Sequence, residues 1–441
     1  MIRLSVFLAI PVVLFGCTGS TEFERGEFMR VENARFVKGG EPHNFVGSNL
    51  WFGGNLGAHA EGGDRERLIR ELDLLQSLGI DNLRVLGASE GVGQSNTVNP
   101  PLQPEPGRFD ERLLDGLDFL LAEMAKREML AVIYLTNYWE WSGGMAQYVS
   151  WFDDTPVPNA FLEQYTWQEF MEFSARFYGH REANAAYRRY IAMLIERENS
   201  FTGVRYRDDP TIMAWQLGNE PRPGVGESGQ KNLPAFTKWV GETADFIRSL
   251  DPNHLISTGN EGLIGCLDSE ETYLDIHRFE NIDYLTVHLW IFNWDWYDPL
   301  KPEDTFAEAK THALEYLDRH IAFAEELGKP LVLEEFGIPR DQHSYSPQAG
   351  TSYRDRFYAL VLDHIYGNAK EGGPFAGSNF WAWGGYGAAR DLENAMWLLG
   401  DDFTGDPPQE PQGRNSVFAS DTSTHSILEE YARKMKAVGR P

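Results

Sequence analysis

The chain is 441 residues long and 42% hydrophobic, enough for one large core or two modest domains. Its 39 basic residues against 66 acidic ones leave a net charge of -27, which argues against nucleic acid or an anionic membrane as a partner, because such a surface repels phosphate. Two cysteines cannot build a disulfide framework; the charge favours a neutral or cationic ligand, and the 13% aromatic residues, 13 of them Trp, either stack on flat apolar ligand faces or fill a large core.

The N-terminus carries one basic side chain, Arg3, ahead of the apolar run Leu4 to Phe15. That run is short for a membrane span and suits a signal-peptide core. It ends in Leu14-Phe15-Gly16-Cys17, which resembles a bacterial lipoprotein processing box in which cleavage precedes a cysteine that takes up acyl chains. Phe15 is bulkier than that box usually carries, so plain secretory cleavage is the alternative. Residues 1–17 therefore read as a signal peptide, 18–30 as a polar tether and 31–441 as a single domain. The expected location is extracytoplasmic, either secreted or anchored to the bacterial cell envelope through lipidated Cys17. Cys266 is then left as a small core residue.

Short apolar runs alternate with helical spacing along the rest of the chain. The candidate strands are Phe45–Trp51, Asn82–Ser89, Leu130–Asn137 and Ile212–Asn219, followed by His254–Glu261, Ile282–Trp290, Pro330–Gly337 and Gly377–Gly385. Between them, Leu68, Leu72, Leu75 and Leu78 recur on one helical face, as do Leu113, Leu114, Leu117, Leu120 and Leu121. A third such face is Phe236, Val240, Ala244, Ile247 and Leu250, stopped at Asp251-Pro252. Eight strands alternating with helices predict an α/β fold, a (β/α)8 TIM barrel. A doubly wound sheet is the competitor, but no Gly-rich phosphate fingerprint follows the first strand. A minimal barrel needs about 250 residues, so this one carries enlarged loops. They follow strand three, where Asn137 to Ile212 is rich in Trp and Tyr, and strand eight, where Tyr386 to Thr422 is rich in Gly, Asp and Pro. Both belong at the C-terminal face, where barrel active sites lie.

Polar and aromatic residues at strand ends are the candidates for chemistry. They are Trp51 at the end of strand one, Arg84 on strand two, Trp139 after strand three, Asn219 and Glu220 at the end of strand four, His288 and Trp290 on strand six, Glu334 and Glu335 on strand seven, and Trp381 and Trp383 on strand eight. Cutting a glycosidic bond takes one carboxyl to protonate the leaving oxygen and a second to attack or to activate water, and glutamates on strands four and seven meet that need. Arg84 either holds one of them ionised or merely neutralises a buried carboxylate. Asn219 is placed to donate to a sugar 2-hydroxyl, and His288 to orient either the sugar or a carboxylate, or to be a core histidine. Neighbours on a strand face opposite ways, so one of Glu334 and Glu335 enters the cleft, and periodicity does not say which. Glu140 and Glu261, also near strand ends, read as solvated or structural carboxylates, with substrate contact as the alternative. The histidines are scattered, so no metal and no cofactor is expected.

Trp215-Gln216-Leu217-Gly218-Asn219-Glu220-Pro221-Arg222 resembles the acid/base motif of glycoside hydrolase family five, and Leu333-Glu334-Glu335-Phe336-Gly337 its nucleophile motif. Asn82-Leu83-Arg84-Val85, Val287-His288-Leu289-Trp290 and Asn379-Phe380-Trp381-Ala382-Trp383 are similar to its second-, sixth- and eighth-strand motifs, in chain order over nearly the whole sequence. The resemblance implies that Glu220 is the acid/base and that Glu335, rather than Glu334, is the nucleophile, with Trp381 as the platform under the reacting sugar. Within the family, Tyr138 to Tyr148 and His288 to Trp294 resemble the bacterial endo-β-1,4-mannanases; Trp290 stands where many members have tyrosine. The function implied is retaining hydrolysis of β-1,4-mannosidic bonds in mannan, glucomannan or galactomannan by a monomer, with Arg84, Asn219, His288, Trp290, Trp381, Trp51 and Trp139 contacting substrate. The alternatives are an exo-acting mannosidase or a cellulase-type member, and more remotely a non-catalytic glycan-binding lipoprotein.

Overall fold

In the computed structural model, which describes residues 27–91, 96–390, 392 and 396–439, the eight apolar runs form one parallel sheet. Its strands are Phe45–Asn49, Asn82–Leu86, Leu130–Tyr134, Ile212–Gln216, Leu255–Ser257, Leu285–Leu289, Leu331–Phe336 and Phe375–Phe380. Hydrogen-bonded ladders run from strand five back through strand one to strand eight and on to strand six. Strands five and six complete the circle through backbone bonds, Asp283 N to Ile256 O at 2.8 Å and His288 N to Glu261 O at 2.9 Å. This is the (β/α)8 barrel expected from the alternating pattern.

A helix follows every strand, and each buries the stripe its spacing marks. In Arg65–Ser77, Asp64 caps the first turn by accepting from Arg67 N, while Leu68, Leu72 and Leu75 are fully buried against the sheet. Glu111–Ala125 buries all five of its marked leucines, and Gly226–Leu250 buries Phe236, Val240, Ala244 and Ile247. Strand three is followed by two extra helices, Gly144–Asp153 and Trp167–Ala175, before the barrel helix Arg181–Ile195. The loop after strand eight is pinned where Trp383–Gly385 pairs with Val417–Phe418, ahead of the last helix, Thr422–Lys436.

One feature of the barrel floor was not expected. Arg30–Glu32, Arg35–Lys38 and Glu41–Pro42 form a small antiparallel sheet. Met29 and Phe36 pack from it onto the inward side chains Phe45, Leu130, Val132, Met213 and Val332. Arg30 also donates to Asn253 O at 2.6 Å, so the packed domain begins before residue 31. The signal-peptide and Cys17 expectations lie outside the described residues. Cys266 is fully buried and unpaired, its Sγ 3.5 Å from Asn260 Oδ1.

Candidate active site

The C-terminal ends of the strands open into a cleft of about 770 Å³. Glu220 reaches it through an unusual backbone. After strand four, Asn219 N donates to Thr136 O at 2.8 Å and Glu220 N to Gly259 O at 2.9 Å, while Glu220 itself takes a φ of 50°. That left-handed conformation is costly for a residue with a Cβ and is held by its neighbours at the site.

Strand seven departs from simple alternation. Its register against strand six shifts between Leu333 and Glu335, so Glu334 is an extra residue, and both carboxyls end inside the barrel. Only Glu335 of the pair lines the cleft, as expected, but the bulge corrects the premise that these neighbours face opposite ways. The two sit at different depths. Glu334, 1% exposed, accepts from Gln216 Nε2 at 2.5 Å, while Glu335 lines the cleft.

Arg84 organises the floor. It is fully buried, and its guanidinium donates to Glu335 Oε1 at 2.5 Å, Gln216 Oε1 at 2.8 Å, Asn219 Oδ1 at 2.8 Å and Asn49 Oδ1 at 3.2 Å. Burial works against its charge, but the Glu335 and Glu334 carboxylates outweigh that and hold it protonated. Fully buried His288 presents Nδ1 to Glu220 Oε1 at 2.7 Å and to Glu335 Oε2 at 3.4 Å. Burial disfavours the imidazolium, and the surrounding carboxylates reverse that, raising His288 well above its ordinary value. Arg84 and His288 therefore serve the carboxylates from beneath and are not among the residues that line the cleft.

Glu220 has a second donor, Trp139 Nε1, at 2.5 Å from Oε2. Burial pushes the Glu220 carboxyl up, but His288, with Arg222 and Trp139, outweighs that and pulls it below its ordinary value. One atom each of Glu220, His288 and Glu335 lie within 4.8 Å of one another. That spacing alone would admit a cation, but Arg84 and His288 already supply the positive charge these carboxylates need.

Asn219 lines the cleft and, after donating to Asn137 Oδ1 at 3.1 Å, keeps a second amide N–H for a ligand. Trp290 and Trp381 form its apolar wall, their rings 6.0 Å apart and edge to face. Trp51 is elsewhere: fully buried, with its indole N–H bonded to Gly405 O at 2.9 Å, it packs behind Trp141, and Trp141 is the ring that reaches the cleft. The expectation of a substrate contact at Trp51 is corrected, because position at a strand end does not fix a ring's direction.

Several lining residues escaped the sequence reading. Arg222 lies over the Trp139 ring at 4.9 Å and pairs with Glu261, which borders the cleft as the alternative reading of that residue allowed. From the strand-eight loop come Gln409, Glu410 and Arg414. Burial pushes Glu410 up to about 7, against the pull of Arg414. Arg222 was within reach, since it closes the quoted acid/base string; the strand-eight loop carries no periodic signal that could have placed its side chains.

Two carboxyls from strands four and seven, paired over a buried arginine and a histidine in an indole-lined cleft, define a barrel enzyme built for carbohydrate. The chain belongs to glycoside hydrolase family 5: the family described as GH family 5 beta-mannosidase-like matches residues 26–440. Mannan endo-1,4-beta-mannosidase 7 of Arabidopsis thaliana is 30% identical, over 99% of this chain and 92% of its own. A glycoside hydrolase family 5 mannosidase from Rhizomucor miehei has a TM-score of 0.85 at 36% identity, covering 94% of this chain and 99% of that one. The endo-beta-1,4-mannanase from Thermotoga petrophila has a TM-score of 0.66 at 26% identity, covering 90% and 77%.

Proposed function

We propose that the protein hydrolyses β-1,4-mannosidic bonds of mannan, glucomannan or galactomannan by double displacement, with Glu335 as nucleophile and Glu220 as acid/base. The observation that carries this is the approach of the two carboxyls, whose oxygens lie within 4.8 Å. Retaining enzymes hold them about 5–5.5 Å apart, whereas inverting enzymes leave about 6.5–9.5 Å for a water. Glu335 attacks the anomeric carbon as the bond to the leaving oxygen breaks. The Glu220–His288 pair supplies the proton that oxygen takes. Water then replaces Glu335 at the anomeric carbon and returns its proton to Glu220, so configuration is retained. Arg84, donating to Glu335 Oε1 at 2.5 Å, orients the attacking carboxyl, and the remaining N–H of Asn219 is placed for the 2-hydroxyl.

The names of the relatives support mannan as the substrate. They also favour a second reading, exo-action, since a mannosidase is among the structures this chain resembles. The N-terminal pattern supports secretion, or attachment to the cell envelope through lipidated Cys17.

Glu335→Ala tests the mechanism. Turnover of an activated aryl β-mannoside should fall below detection, and azide should restore it by forming an α-mannosyl azide. Unimpaired turnover in that variant would refute the assignment. The early products from mannohexaose separate the modes, a mixture for endo-action and one small sugar for exo-action.

A further inference from the structure

The loop after strand three leaves two aromatic rings in solvent at the rim of the cleft. Phe161 is 46% exposed and Trp167 is 41% exposed, and both line the cleft. Large apolar surface left open beside a binding site marks a surface that a ligand covers. The two rings also stand in a row with a third. Phe161 contacts Trp167 at 5.3 Å and Trp167 contacts Trp139 at 5.9 Å, each edge to face, and Trp139 ends on Glu220.

The loop is built to hold them. Trp167 is the first residue of its helix, and Thr166 and Glu169 cap that helix reciprocally, which fixes where the indole starts. Phe161 N donates to Asn159 Oδ1 at 3.0 Å, and Asn159 Nδ2 reaches Asn96 Oδ1 at 3.3 Å across to the strand-two loop. Exposed Asn293 and Asp295, from the strand-six loop, border the same cleft and offer polar partners for hydroxyls.

The row has a direction. Glu220 gives its proton to the oxygen of the departing sugar, so the side of the cleft that continues from Glu220 through Trp139 receives the leaving group. Trp381 N donates to Phe336 O at 2.9 Å, next to Glu335, and Trp290 packs on Trp381. We propose that Trp167 and Phe161 form a stacking platform for the sugars beyond the first leaving-group unit, so that the enzyme selects long β-mannan chains over short ones. This inference rests on the glycosidase reading given above. Sugar rings with an apolar face lie against the two aromatic rings, and their hydroxyls turn to water and to the polar wall opposite.

The test is the chain-length dependence of the Phe161→Ala/Trp167→Ala double variant of the full protein. Mannobiose does not reach the platform, whereas mannohexaose covers it. The ratio of kcat/KM for mannohexaose to that for mannobiose should fall about tenfold, the loss of one good contact, and the change should lie in KM. Trp167→Phe, which keeps a ring, should hold most of the ratio. An unchanged ratio, or an equal loss on both substrates, overturns the platform while leaving the glycosidase reading in place. If the unaltered enzyme cleaves neither mannoside, the glycosidase reading fails and the platform falls with it.

Discussion

The two carboxyls have the same side chain and opposite tasks, and their neighbours divide the work. Glu335 meets the buried guanidinium of Arg84, which fixes the carboxyl in place, whereas Glu220 faces an imidazole that can carry or release a proton. The proton of the Glu220–His288 pair belongs to both residues, so its titration is that of the pair. Because His288 is raised well above its ordinary value, kcat/KM should hold through neutral pH and fall only when the pair loses its proton on the alkaline side. His288→Asn removes the group that stores the proton and leaves it on Glu220 alone. A pH profile of this variant should show lower kcat/KM and an alkaline limb displaced to lower pH. A limb that stays in place would mean that His288 takes no part in proton transfer. The sequence placed Glu220, Glu335, Arg84 and His288 because each falls within a motif at a strand end. It could not give the depth of Glu334, which depends on a one-residue bulge that hydrophobic alternation does not register.

At the level of elements, the cleft depends on how the loops are tied to one another. Glu90, after strand two, is 4% exposed and joins its loop to the strand-three insertion. Its backbone N donates to Ser142 O at 2.7 Å, and its Oε2 accepts from Gly144 N at 2.9 Å. Burial pushes Glu90 up to about 8 from an ordinary 4.5. A carboxyl raised by folding binds more protons folded than unfolded, so its contribution is complete below pH 4.5 and is lost as pH rises through about 8. Calorimetry should therefore show Tm falling across that window. Glu90→Gln, which keeps the carbonyl acceptor and cannot ionise, should flatten the fall and exceed the parent by ~1 kcal/mol or more at the alkaline end. An identical pH slope in the two proteins would show that Glu90 is not neutral in the folded state. None of this tie could be read from the chain, since Glu90 stands in a stretch without helical or strand periodicity. Trp51 was misjudged for a related reason: its strand was legible, but the direction of its ring is set by Gly405, far along the chain.

Over the whole molecule, the barrel was legible because it is repetitive. Seven of the eight strands lie within the runs that their apolar residues mark, and the eighth starts two residues before its run and ends at Phe380; the leucine stripes of the early helices face inward as their spacing requires. The floor strands were not legible, being two to four residues long and too short for any period to show. The two enlarged loops were located correctly, yet their contribution of Trp141, Trp167, Glu410 and Arg414 to the cleft emerged only with the fold. A frame read from repetition thus carries a cleft made largely by the segments that do not repeat. The central claim is that Glu220 and Glu335 act by double displacement on a β-mannoside. Proton NMR of the anomeric signals during hydrolysis of mannohexaose tests it most directly. The account predicts that the β-anomer of the product appears first and mutarotates later; the α-anomer appearing first would contradict it.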